Sequence, residues 1–210
     1  MAPDVRTDPD PDPSVQAEPT ADEAPRWRGV HHLALTTNDM DATVRFYHGV
    51  LGMRTVSTIA TPDFKHYFFD IGPGNTLAFF QWMGHDVGTI EKPAGIAPDF
   101  PTQFDHVSFH LPDEQALLAL SDRLVTHACE VTEVIDHGTM KSIYFTDPNG
   151  ISLEASYWVI DATGRPADYE DRATLFTDPD PVPALVELAA TGELVWTPST
   201  RNLGAGADPS

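Results

Sequence analysis

The chain has 210 residues, 41% of them hydrophobic and 10% aromatic, enough for one ordinary core or two small fused modules. Its formal charge of -20 argues against nucleic acid as a partner, because phosphate binding needs clustered Lys and Arg and here 12 bases face 32 acids. Cys129 is the single cysteine, so intrachain disulfides and thiolate clusters are excluded and any metal must be held by nitrogen and oxygen.

Residues 1–26 carry seven acidic and two basic side chains around Thr7-Asp-Pro-Asp-Pro-Asp-Pro13, with too little apolar matter to offset ordering entropy. They read as a disordered acidic, Pro-rich tail. The opening Met1-Ala-Pro-Asp-Val-Arg6 lacks the basic-then-apolar order of a signal peptide, and no apolar run approaches the roughly 18–20 residues of a membrane span. A cytoplasmic protein without a membrane partner is the expectation.

From Trp27 the chain reads as strand, helix and three strands, twice over. In a first module, 27–90, a strand fits Val30–Thr36, and Asn38 or Asp39 caps a helix bearing Val44, Phe46, Tyr47 and Leu51 that Gly52 ends. Strands follow at Arg54–Ile59, Lys65–Ile71 and Thr76–Met83. After a linker at 91–103, the second module, 104–160, offers a strand at Phe104–Leu111 and a helix opened by Asp113 with Leu117, Leu120 and Leu124 at helical spacing. Val131–Asp136, Lys141–Thr146 and Ile151–Trp158 complete it. The extension 161–210 has one helix candidate, Pro183–Thr191.

Alternation sorts the second module's strand residues into two faces. Val107, Phe109, Ile143, Phe145, Leu153 and Ala155 form an apolar one, while His106, His110, Ser142, Tyr144, Ser152 and Glu154 share the other. A solvated face favours Lys, Glu and Thr, so this His, Tyr, Ser and Glu set reads as a polar cavity. His32 and His106 head equivalent strands, and counting along the repeat puts Phe79 opposite Glu154. The total is two imidazoles and one carboxylate, a facial set suited to Fe(II), with Mn(II) or another divalent metal able to use the same donors. Gln81 is a weak fourth donor or a rim residue.

The paired His-apolar-small-apolar strands, the helix ending Phe46-Tyr-His-Gly-Val-Leu-Gly52 and the run Asp147-Pro-Asn-Gly-Ile-Ser-Leu-Glu154 resemble the vicinal oxygen chelate superfamily over residues 28–160. That superfamily includes glyoxalase I, the bleomycin and fosfomycin resistance proteins and the type I extradiol dioxygenases. The stretch Ile135 to Glu154 resembles the dioxygenase signature, including His137 and Tyr144. The resemblance implies an α+β fold of two tandem βαβββ modules joined into a cupped mixed β-barrel, in a homodimer. It implies metal ligation by His32, His106 and Glu154, a Tyr144 that takes up a substrate proton, and a His137 that orients or protonates the substrate. The expected reaction is extradiol cleavage of a catechol-like diol with O2, with Phe69, Phe79, Tyr67 and His110 lining the substrate cavity. A lyase or epimerase stabilising an enediolate and a drug-binding resistance protein are the alternatives. One departure from the dioxygenase pattern is visible: where a further histidine is usual, 14 or 15 residues before the second metal histidine, stand Lys92 and Glu91. His85 and His66 are out of register for that place.

Overall fold

The computed structural model describes residues 27–194; the proposed tail 1–26 lies outside them. Two compact units follow one another, the first ending at Pro166 and the second starting at Ala167. The second holds helix α3, Pro183–Thr191, on the residues predicted, closed by Gly192 in the left-handed conformation.

In the first unit the predicted repeat is realised. Strand β1 is His32–Thr36; α1, Met40–Val44, runs on as a wider π-helical segment, Arg45–Val50; β2, β3 and β4 are Thr55–Ala60, Phe64–Gly72 and Asn75–Trp82. The second copy comprises β5, Val107–His110; α2, Glu114–Thr126; and β6, β7 and β8 at Ile135–Asp136, Met140–Thr146 and Ser152–Trp158. Asp39 and Asp113 cap α1 and α2 by accepting from the N–H groups of Ala42 and Ala116, 2.9 and 2.8 Å away. Of the strand predicted at Val131–Asp136 only two residues pair as β6, with one isolated bridge from Val131 to Phe145.

Each copy forms its own four-stranded sheet, in the orders β1-β4-β3-β2 and β5-β8-β7-β6. No hydrogen-bonded strand pair joins the two sheets, so they do not close into the expected barrel. A shared core lies between them instead: Phe69, Leu77 and Phe79 of the first sheet and Ile143, Phe145 and Leu153 of the second belong to one cluster with Phe46, Tyr47, Leu117 and Leu124 of the helices. The Tyr47 ring sits 5.5 and 5.0 Å from those of Phe69 and Phe79, and Phe46 lies 6.5 Å from Phe145. The Tyr47 hydroxyl, fully buried, donates to Asp147 Oδ2 at 3.0 Å across the two copies. The outer face of each sheet is the one turned away from this core.

Strand register corrects one sequence expectation. Leu33 pairs with Leu77 and Val107 with Leu153, so the first strands of the copies are 74 residues apart and the last strands 76. The residue matching Glu154 is therefore Ala78, not Phe79. A slip of one residue turns a side chain to the opposite face, which is why Phe69, Phe79 and Tyr67 do not line a cavity. Phe69 and Phe79 are fully buried beneath the first helix, and Tyr67 packs against the same cluster. Gln81 shares that inner face and braces α1, donating to Asn38 O and accepting from Met40 N–H.

Candidate metal and substrate site

His106 stands one residue ahead of β5, with Nε2 2.8 Å from Glu154 Oε2 and Nδ1 2.5 Å from Asp105 Oδ1. The antiparallel register of β7 and β8 sets Tyr144 directly opposite Glu154, and the phenol donates to Glu154 Oε1 at 3.0 Å. His137 occupies the turn after β6, tied by its N–H to Met140 O, and its Nε2 lies 3.0 Å from the Tyr144 oxygen. Because that phenol gives its proton to Glu154, it accepts from His137, and Nε2 is the protonated nitrogen there. Four predicted site residues thus meet in one hydrogen-bonded chain: His137, Tyr144, Glu154 and His106. His110, exposed, pairs with Ser156 at the far end of the same face.

Glu154 is 4% exposed. Burial pushes its carboxyl up, but the Ser142, Tyr144, His106 and Ser108 side chains around it outweigh this and hold it below the ordinary range. Burial, and then the neighbouring Glu154 charge, pushes the Tyr144 phenol up. Tyr144 is therefore a neutral donor beside an ionised acceptor at neutral pH.

The donor chemistry fits a divalent cation. Asp105 and Glu154 are carboxylates, which only accept; in the tautomer that gives its one proton to Asp105, His106 Nε2 would turn a lone pair toward Glu154 Oε2. Two acceptor atoms this close need a proton or a metal ion between them, and an imidazole with a carboxylate is a usual pair of divalent-metal ligands. The third expected ligand is not brought to them. His32 lies on the outer face of the first sheet, its Nδ1 2.8 Å from that of His31 and its ring 6.4 and 5.8 Å from those of His66 and Phe68. Among the described residues no group of three or more His, Cys, Asp or Glu side chains is placed to hold a metal.

The outer face of the first sheet supplies what sequence reasoning missed. Phe64, His66, Phe68, Phe80 and Trp82 project from β3 and β4 beside His32. His66 stacks on Phe80 with centroids 3.6 Å apart, and Phe80 lies parallel to Trp82 at 5.1 Å. Trp82 remains 39% exposed. Within the described strands neither outer face carries Lys or Arg, since Lys65 pairs with Gln81 and Lys141 with Tyr157 on the inner sides. The alternation Phe64, His66, Phe68 was legible in the sequence; the two extra residues between β5 and β7, compared with β1 and β3, hid which face it occupied.

The sequence pattern of the glyoxalase/bleomycin resistance protein/dioxygenase superfamily matches residues 29–155. The chain belongs to this superfamily. One superfamily relative, "Putative ring-cleaving dioxygenase MhqE" of Bacillus subtilis, is 26% identical over 180 residues, covering 82% of this chain and 46% of that protein. The lactoylglutathione lyase of Haemophilus influenzae is 24% identical over 127 residues, 59% of this chain and 87% of that one. The chain spans about half the length of the Bacillus relatives it matches. Among solved structures, the glyoxalase/bleomycin resistance protein/dioxygenase domain of Frankia sp. EAN1pec superposes with a TM-score of 0.53 at 22% identity, over 63% of this chain and 98% of that one, a likeness of fold. Among the described residues no helix is long and apolar enough to cross a membrane.

Proposed function

We propose that this protein is an Fe(II)-dependent extradiol dioxygenase that opens a catechol-like ring with O2, in a site completed by two copies of the chain. The observation that carries this reading is the chain of hydrogen bonds from His137 through Tyr144 and Glu154 to His106, which couples a candidate metal pair to two proton-handling groups. His106 and Glu154 of one protomer and His32 of another would hold the metal. Each chain turns these residues to different outer faces, and β1 and β5 end their sheets as unpaired edges. When bound, the metal supplies the positive charge that acidifies a diol hydroxyl and a place for O2 beside it.

The remaining chemistry belongs to the side chains. Tyr144 turns its hydroxyl from Glu154 toward a substrate oxygen and hands on the proton it gains. His137 takes that proton on Nε2 once its own has moved to Nδ1, and as imidazolium returns it to the opening ring. Phe68, Phe80 and Trp82 of the facing sheet offer the ring a flat apolar wall. The absence of Lys and Arg from the outer faces of the described strands favours an uncharged aromatic over an anionic thiol adduct or phosphonate. Ala78, at the mirror position of Glu154, supplies no fourth ligand of the kind an enediolate-stabilising lyase or epimerase usually has.

Metal analysis of anaerobically purified protein, then oxygen uptake with simple and fused-ring catechols, tests the reading. Iron with a coloured ring-opened product supports it. Tight zinc or nickel without oxygen uptake sinks the dioxygenase, and a monomer that binds the metal through His32, His106 and Glu154 sinks the shared site.

A further inference from the structure

The outer face that carries Glu154 runs on along β8 past the candidate metal pair. Alternation puts Ser156 and Trp158 on that face, about 7 and about 14 Å beyond Glu154 at roughly 3.4 Å per residue. Tyr157, between them, packs against the shared core, so both neighbours point away from it. Across the sheet, β7 sets Ser142 directly opposite Ser156 and Met140 directly opposite Trp158, while β5 sets Ser108 beside Glu154. Outward from the metal position the face therefore passes from carboxylate to hydroxyls and then to an apolar row.

The hydroxyls are incompletely bonded. Ser108 and Ser156 share one hydrogen bond of 2.8 Å, whereas Ser142 is fully buried and its hydroxyl has no hydrogen-bond partner among the described residues. A buried hydroxyl is costly until a bond is made, and a serine directly across the strand pair comes within reach by a change of rotamer. Once Ser142 donates to Ser156 and Ser156 to Ser108, the proton left over belongs to Ser108, which is exposed and stands beside Glu154. That proton calls for an acceptor on a ligand. Met140 and Trp158, both half-buried, add a thioether and an indole, an adaptable apolar floor. Because the outer faces of the described strands carry no Lys or Arg, an anionic acceptor would find no countercharge there.

We infer that the substrate is a catechol joined through a neutral carbonyl to a second, apolar ring, with the carbonyl oxygen accepting from Ser108 and the distal ring lying on Trp158 and Met140. The diol end rests on the extradiol reading; the hydroxyl and apolar rows stand on the sheet itself. Ser108, Ser156 and Trp158 then decide which diol is held and take no part in opening it. A simple catechol fills only the first row.

The test is calorimetric titration of the full chain, loaded anaerobically with Fe(II), with four probes: catechol, 3,4-dihydroxybenzophenone, its methylene counterpart 4-benzylcatechol, and benzophenone, which lacks the diol. The dihydroxy ketone is expected to bind about tenfold tighter than catechol. Its carbonyl also acidifies the diol, so the decisive quantity is the ketone-to-methylene affinity ratio, which should fall about three- to tenfold in Ser108→Ala. The advantage of both two-ring diols over catechol should fall about three- to tenfold in Trp158→Leu, with Met140→Ala as a second variant of the same floor should the first fail to fold. A ratio unchanged by Ser108→Ala, or a two-ring advantage that survives loss of the floor, overturns the inference and, with catechol still bound, leaves the extradiol reading intact. Benzophenone bound through Ser108 and Trp158 by a protein that does not bind catechol overturns the extradiol reading and supports the two rows as a ketone site. Failure to bind any of the four overturns both.

Discussion

Replacing Tyr47 by Phe removes one oxygen and leaves the ring where it is, so it isolates one of the hydrogen bonds that tie the two modules together. The hydroxyl is buried, and burial followed by the nearby Asp147 charge pushes it well above the ordinary phenol range, so it stays a donor at any working pH. Asp147 keeps other partners: Oδ1 accepts from the N–H groups of Asn149 and Ile151, both at 2.8 Å, and Oδ2 from Asn149 Nδ2 at 2.9 Å. The carboxylate is therefore not orphaned, and the loss falls toward the low end for a bond to a charged group, about 1–2 kcal/mol. For a unit of this size that is a fall of roughly 2–8 °C in Tm. Urea denaturation of the parent, Tyr47→Phe, Asp147→Asn and the double variant gives the coupling directly, with about 1 kcal/mol expected. A coupling energy of zero, or a Tyr47→Phe protein as stable as the parent, would refute the claim that this bond holds the copies together with their outer faces turned from the common core.

Gly150→Ala should destabilise by about 2 kcal/mol, because φ is +82° there and a new Cβ would meet Thr89 Cγ2 at 2.9 Å and Glu91 Cγ at 3.1 Å; an unchanged urea midpoint would contradict this. Trp82→Ala should weaken binding of a fused-ring catechol about three- to tenfold with metal content unchanged, and equal binding by titration would remove the aromatic wall from the site. Stability should begin to fall as pH drops through the histidine range, because burial holds His66 below its ordinary value and the unfolded chain takes up that proton first, and fall more steeply below about 4.5. Asp105, Asp70 and Glu154 are each held below the carboxylate range, so the unfolded chain takes up protons first. The raised phenols Tyr47, Tyr144 and Tyr157 act at the other end, so stability is lost again above about pH 10 as the unfolded chain loses those protons first. Urea midpoints across the range check both limbs, and a stability that rises between pH 4 and 3 contradicts the acid one.

Much of this architecture was legible because it rests on local rules. Alternation, the Asp39 and Asp113 caps and helical leucine spacing each act over a few residues, and the strands and helices they predict match those formed except at Val131–Asp136, where only the last two residues pair. The polar face of the second module followed from the same alternation, and with it the meeting of His106, Tyr144 and Glu154. The first module's face was misjudged because two more residues separate β5 from β7 than β1 from β3, and a single count along the repeat does not show where the copies differ in length. The burial of Lys92 was not legible, since nothing in a linker reveals that a lysine will be buried against the aspartate thirteen residues later. The separation of His32 from the other predicted ligands is likewise a matter of packing between modules, which periodicity does not address.

That separation has a genetic consequence. If His32 serves a site whose other ligands belong to a different copy, the unit of function is a pairing of chain halves, and defects in different halves need not add. A His32→Ala chain and a Glu154→Ala chain, each inactive alone, assemble into a mixed pair in which one site has lost both residues and the other is wholly intact. Two null alleles then complement in one cell, while a chain carrying both changes spoils every site it enters.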